Sequence, residues 1–368
     1  MDKIRKKLGF GCMRLPMKGG EVVEPQFCKM IDRFLEEGFN YFDTAHVYIG
    51  GKSEKSIKTC LTDRYPRDRY LLTDKLTDSC FQKQDDIRPF LEKQLELCGV
   101  EYFDFYLMHA QNAGNYEKYK RCRAYETALE LKAEGKIRHL GISFHDTAEV
   151  LERILTEYPQ VETVQIQFNY LDYDDPAVQS RKVYEVCRKF GKPVIVMEPV
   201  KGGCLANLPA AAADVLNSLG GGTPASYAIR YAAGFEGMIM TLSGMSSIEQ
   251  LEDNIGFMKD FRPLTEDENA AVKRVVEIMH TKDLIACTAC KYCVPGCPMK
   301  ISIPDLFSCM NAKEITRDWN PGMYYHNVYT KNGGKASSCI KCGRCENVCP
   351  QHLPIRDLLI KVAEEFEK

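Results

Sequence analysis

Eight of the seventeen cysteines in this 368-residue chain fall into two runs of identical spacing. Cys287, Cys290, Cys293 and Cys297, followed by Pro298, read C-x2-C-x2-C-x3-C-P, and Cys339, Cys342, Cys345 and Cys349, followed by Pro350, repeat that pattern 52 positions later. Three thiolates in tight turns can hold three irons of a cubane, whereas the fourth cysteine lies too far along the chain for the same cluster and ligates its neighbour. The spacing therefore predicts one [4Fe–4S] cluster on Cys287, Cys290, Cys293 and Cys349, and a second on Cys339, Cys342, Cys345 and Cys297. Zinc also favours C-x2-C pairs, but it needs two well-separated pairs rather than four cysteines in so short a run.

A second set of reactive side chains stands far upstream. Asp43 and Tyr48 follow one apolar segment, Lys75 closes the next and His109 closes the one after. Each alone has an ordinary structural explanation, but together they compose a proton-donating oxyanion site. A phenol titrates near 10 in water. An ammonium beside it would lower that value, a carboxylate would orient the ammonium, and an imidazole could hold a carbonyl oxygen.

Such a set converges only if the intervening elements bring it together. Eight strand candidates alternate with amphipathic helical segments: residues 8–13, 41–45, 71–76, 103–109, 139–144, 163–168, 193–199 and 238–244. Phe27, Met30, Ile31, Phe34 and Leu35 show helical spacing, and Gly38, Gly99, Gly135 and Gly191 stand where helices stop. Eight such units predict an α/β fold: a (β/α)8 barrel over residues 1–282, whose chemistry sits at the C-terminal ends of its strands. A doubly wound sheet is the alternative, but no G-x-G-x-x-G turn follows the first strand. Residues 283–368 form the second, smaller domain. Its duplication extends to Ile303, Asp305 and Leu306, answered by Ile355, Asp357 and Leu358.

The first part resembles the aldo-keto reductases over roughly residues 5–260, in LGFGCMRL, YFDTAHVY, LLTDKL, FDFYLMH, QIQFNY and SGMSSIEQLEDN. The resemblance implies interconversion of a carbonyl and an alcohol with NAD(H) or NADP(H). Tyr48 would be the general acid, Lys75 its modulator, Asp43 the partner of the lysine and His109 the carbonyl orienter. It also implies nicotinamide contacts from Ser143 and Gln167, and an adenine contact from Asn254. Met197 occupies the place of a tyrosine that often stacks on the nicotinamide. Gly244 and Gln250 occupy places where NADP-users carry cations, which weakens the expectation of a 2′-phosphate site. The tail resembles bacterial-type two-cluster ferredoxins of the mainly α-helical variety.

Nicotinamide moves two electrons at once and each cluster one, so a direct relay would call for a flavin. The loops at Lys201–Cys204 and Gly244–Ser247 are candidates for holding its phosphate. The alternative reading is an iron–sulfur electron-transfer protein in which the barrel is a scaffold or binds a redox partner protein. A net charge of −2 excludes a polybasic nucleic-acid binder. No apolar run is long enough to span a membrane, and the N-terminus lacks a secretory pattern, so the expectation is a cytoplasmic protein with reduced thiols. On that expectation the scattered cysteines, Cys28 and Cys60 among them, are small packed residues.

Overall fold

The computed structural model describes every residue except 2, 175–177, 281–283, 317–320, 323–324 and 331–332. Eight parallel strands close into a barrel: β1 (Leu8–Gly11), β2 (Tyr41–Asp43), β3 (Leu71–Leu76), β4 (Phe103–Gln111), β5 (Ile137–Phe144), β6 (Thr163–Gln167), β7 (Val194–Met197) and β8 (Met238–Ser243). Closure is made by β1, which pairs Leu8 with Thr241 of β8 and Gly9 with Tyr41 of β2. A short antiparallel hairpin, Met17–Lys18 with Glu21–Val22, stands apart from the barrel.

Side chains alternate between the two faces of a strand. Tyr41, Leu71, Phe105, Leu107, Ile195, Met240 and Leu242 pack as one buried cluster. Two residues on from Tyr41 is Asp43, four on from Leu71 is Lys75, and two on from Leu107 is His109. The period of two therefore puts all three polar groups on the same face as that cluster, nearer the C-terminal strand ends. Gly141 of β5 is required by closeness: a Cβ there would lie 2.6 Å from Leu107 and 2.9 Å from the Thr163 carbonyl oxygen.

Helix Glu24–Glu36 buries Phe27, Met30, Ile31, Phe34 and Leu35, as the spacing predicts, and helix Ile87–Cys98 buries Ile87, Phe90, Leu91 and Leu95 of its apolar spacing but leaves Leu97 half-buried. Cys28 and Cys60 depart from expectation. Helix Glu24–Glu36 and the turn Lys58–Thr62 bring their Cα atoms within 4.6 Å, and the two sulfurs form a disulfide.

The chain divides into two compact units. One comprises Met1–Pro199 and Ala225–Asn269, the other Val200–Pro224 and Ala270–Lys368. The segment after β7 thus belongs to the cysteine-bearing unit, and the boundary expected between 282 and 283 lies outside the described residues. In that unit the helices Ile303–Thr316 and Ile355–Phe366 start at equivalent points of the duplication. Ile303, Leu306, Phe307, Ile355, Leu359 and Val362 form its core, into which Cys309 is packed. Among the described residues no helix is long and apolar enough to cross a membrane.

Candidate active site and candidate cluster sites

At the barrel mouth, Lys75 is fully buried, and its Nζ donates to Asp43 Oδ1 at 2.5 Å and to the Thr44 carbonyl at 2.7 Å. The other oxygen of Asp43 accepts from Gln165 Nε2 at 2.9 Å. A buried charge pair is tolerable only when its remaining valences are met, and here the carboxylate is satisfied on both oxygens. Tyr48, only 9% exposed, stands over this pair: Lys75 Nζ lies 4.8 Å from the centre of its ring. The His109 ring meets the Tyr48 ring edge-on at 6.0 Å.

His109 owes its placement to an irregularity of β4. Pairing with β5 shifts register between Met108 and Gln111, and Ala110 takes a left-handed conformation, φ 52°. Bulges of this kind re-aim side chains beside active sites. The strained residue is held from both ends: its N–H donates to Ser143 Oγ at 2.8 Å, and its carbonyl accepts from the side chains of Asn112 and Asn115, each at 2.9 Å. Thr77 Oγ1 lies 2.7 Å from His109 Nδ1. Burial, with the charges of Lys75 and His145, holds the His109 pKa well below 6.5, so the ring is neutral at physiological pH.

The phenol behaves differently from the expectation. Burial first, then the negative charge of Asp43, raises the Tyr48 pKa well above 10. The charge of Arg14 works in the opposite direction but does not offset the lost hydration. Tyr48 is therefore held as a protonated acid.

Asp74 gave no signal as a site residue in the sequence, although a carboxylate next to Lys75 in an apolar strand was visible there. Alternation turns it away from Lys75, toward Glu54 and Cys98; all three are buried, with ligating atoms within 4.8 Å of one another. Desolvation and the charge of Glu54 push its pKa well up. Glu54 in turn accepts from His46 Nδ1 at 2.7 Å. Gln165 was equally overlooked, though it shares a face with Gln167 in the Gln-x-Gln of β6.

The expected cofactor contacts are dispersed around the strand ends. Ser143 is engaged with the β4 bulge, and Gln167 donates to Asp172 at 2.7 Å. Met197 is half-buried at the end of β7, level in register with Gln167. Asn254 is buried on helix Ile248–Met258 and donates to Ser243 Oγ at 2.6 Å. Beside exposed Gly244 runs the side chain of Arg14, 3.5 Å from where a Cβ would stand. Its guanidinium is 3.4 Å from Glu198. A cation thus stands close to Gly244, contributed by the loop after β1 and not by residue 244 itself.

In the second unit the sulfurs group across the duplication. Cys297, the last cysteine of the first run, lines one cavity with Cys339, Cys342 and Cys345 of the second run. Cys293 interacts electrostatically with Cys290, Cys287 and Cys349, the last cysteine of the other run. Four thiols and a mainly apolar surround suit a thiolate-ligated cubane.

A closed parallel barrel with a buried acid–base group at its strand ends, continued by two four-thiol sites, defines an oxidoreductase fused to an iron–sulfur module. The chain belongs to the aldo/keto reductase family, whose model matches residues 7–277, and a 4Fe-4S dicluster domain matches residues 286–354. It is 24% identical over 308 residues to the uncharacterized oxidoreductase YqkF of Bacillus subtilis, covering 75% of this chain and 92% of the relative. It is 23% identical over 279 residues to L-galactose dehydrogenase of Arabidopsis thaliana, covering 71% and 86%. Among solved structures, an aldo-keto reductase from Klebsiella pneumoniae in complex with NADPH superposes with a TM-score of 0.60 at 21% identity, over 74% of this chain and 95% of that one. Aldo-keto reductase AKR11C1 from Bacillus halodurans, in its holo form, gives 0.59 at 24%, over 74% and 92%.

Proposed function

We propose that the barrel interconverts a small aldehyde or ketone and the corresponding alcohol with a nicotinamide coenzyme, and that the tail holds two [4Fe–4S] clusters exchanging single electrons with a partner protein. The observation that carries the first half is the grouping of Lys75, Asp43, Tyr48 and His109 at one strand-end rim.

Ser143 and Gln167 would hold the carboxamide of the coenzyme, Met197 would lie against its ring, and Gly244, Arg14 and Asn254 would meet its adenosine end. When bound, the nicotinamide supplies the hydride that reduces the carbonyl carbon. With Nδ1 accepting from the Thr77 hydroxyl, His109 would keep its proton on Nε2 and give the carbonyl oxygen a hydrogen bond as a neutral group. Tyr48 delivers its proton to the oxygen as negative charge grows there, because an alkoxide is a far stronger base than a phenolate. The phenolate left behind faces the Lys75 ammonium, which Asp43 and Gln165 keep in place.

In the tail, Cys287, Cys290, Cys293 and Cys349 would ligate one cluster and Cys339, Cys342, Cys345 and Cys297 the other. The supporting observation is the crossed grouping of sulfurs, each set drawing its fourth member from the opposite run. The test is an anaerobic preparation of the whole chain carrying both clusters, supplied with NADPH or NADH and a panel of aldehydes and ketones. Coenzyme oxidation matched mole for mole by alcohol supports the proposal, and coenzyme binding without turnover on any carbonyl opposes it.

A further inference from the structure

The duplication supplies an internal control, because two loops of one motif are treated differently. Thr288 of the first loop corresponds to Ile340 of the second. Thr288 is 2% exposed, and Gly202 packs so tightly on it that a Cβ at 202 would lie 2.4 Å from the Thr288 carbonyl oxygen. Gly202, at φ +64°, belongs to the segment Val200–Pro224, which therefore covers Thr288 of the first loop within this unit. Ile340 is 60% exposed, and Met299, which lines the same cavity, is 37% exposed. Cys342 is the one exposed thiol among the eight proposed ligands, whereas its counterpart Cys290 is half-buried.

Charge separates the two loops as well. Ala289 and Tyr292 of the first correspond to Lys341 and Arg344 of the second, and Lys300 follows directly on Met299. Lys300, Lys341 and Arg344 are exposed, and none makes an ion pair among the described residues. The neighbouring acid Glu346 is already bound to Arg356 at 2.8 Å. The negative charge of a cubane does not by itself demand these cations, since the first loop carries only Lys291.

We propose that the face formed by Met299, Lys300, Ile340, Lys341 and Arg344 docks an acidic one-electron carrier protein, a flavodoxin-like or ferredoxin-like partner, and that electrons enter or leave through the cluster of Cys339, Cys342 and Cys345. This rests on the reading of the tail as a two-cluster module. Exposed apolar side chains with cations at the adjoining positions suit a partner whose own prosthetic group is flanked by carboxylates, because such charges steer encounter and fix register. In the transfer, one electron passes from the reduced carrier to an oxidised [4Fe–4S]2+ cluster, giving [4Fe–4S]1+ and a carrier oxidised by one electron. No proton or bond is exchanged.

The test uses the anaerobic holoprotein with a reduced acidic flavodoxin as probe, followed by stopped-flow bleaching of the cluster absorption and by carbodiimide cross-linking mapped by mass spectrometry. Cross-links should form at Lys300 and Lys341. Lys341→Glu should slow transfer about tenfold at low ionic strength, with the difference shrinking toward unity in about 1 M salt, as expected for screened steering charges. Lys291→Glu, the same change at an exposed lysine of the first loop, should leave the rate within about twofold of the parent. Equal slowing by both variants, cross-links confined to other lysines, faster transfer from a basic haem protein, or salt-independent transfer would each overturn the docking face. So would self-association through this face in place of flavodoxin binding. A chain whose iron analysis and EPR reveal no reducible clusters would instead overturn the two-cluster reading beneath it.

Discussion

The Lys75 ammonium and the Asp43 carboxylate lie 2.5 Å apart, with side-chain exposures of 0% and 4%. Removing one partner of such a pair strands the other in a low-dielectric interior, which costs about 3–5 kcal/mol. Lys75→Met is expected to lower unfolding free energy by about that amount, read from urea denaturation. Lys75→Met combined with Asp43→Asn should recover a substantial part, since the amide no longer needs a counter-charge. A single variant as stable as the parent would show that the pair is solvated.

A second prediction concerns pH. Asp74 has its pKa raised by burial and by the charge of Glu54. Between about pH 4, where the unfolded chain releases this proton, and its higher folded value, the folded state binds more protons than the unfolded. Stability associated with neutral Asp74 is fully present below that window and is withdrawn as pH rises through it. Asp74→Asn should thus gain in melting temperature relative to the parent at pH 8 compared with pH 5. Calorimetry at the two values checks this, and equal shifts at both would contradict it.

Single cysteine substitutions distinguish the two proposed cubanes. Cys297→Ser should lose or convert the cluster held by Cys339, Cys342 and Cys345, while Cys349→Ser should affect the one held by Cys287, Cys290 and Cys293. The parent should contain about eight irons and eight sulfides per chain. EPR of the reduced variants distinguishes the sites. Loss of the signal belonging to each cysteine's own run would reverse the assignment.

Legibility in the sequence followed the range of the interactions. The strands were readable because apolar runs bounded by glycines and helical spacings are local signals: Leu71–Leu76 occurs over the span expected, and the other strands deviate by a residue or two at their ends. The convergence of Asp43, Lys75, Tyr48 and His109 was readable because barrel topology places strand ends on one rim. What escaped depends on contacts between distant strands. The Gln165 bond to Asp43 spans the barrel, the Ala110 bulge depends on Ser143 and two asparagines, and the Cys28–Cys60 disulfide depends on two packed helical segments. The direction of the Tyr48 shift was also illegible, because it is set by burial and by the carboxylate of Asp43 rather than by the lysine. For the cysteines, by contrast, the crossed grouping of the sulfurs is the one that the spacing of the two runs predicts.

The measurement that bears most directly on the central claim is the rate of coenzyme-dependent aldehyde reduction by Tyr48→Phe in the anaerobic holoprotein, with coenzyme affinity measured in parallel. Loss of the general acid should lower kcat by about 10²–10⁴-fold, with coenzyme affinity and both cluster signals unchanged. A Tyr48→Phe protein that reduces the aldehyde at the parental rate would contradict the assignment of the barrel mouth as the catalytic site.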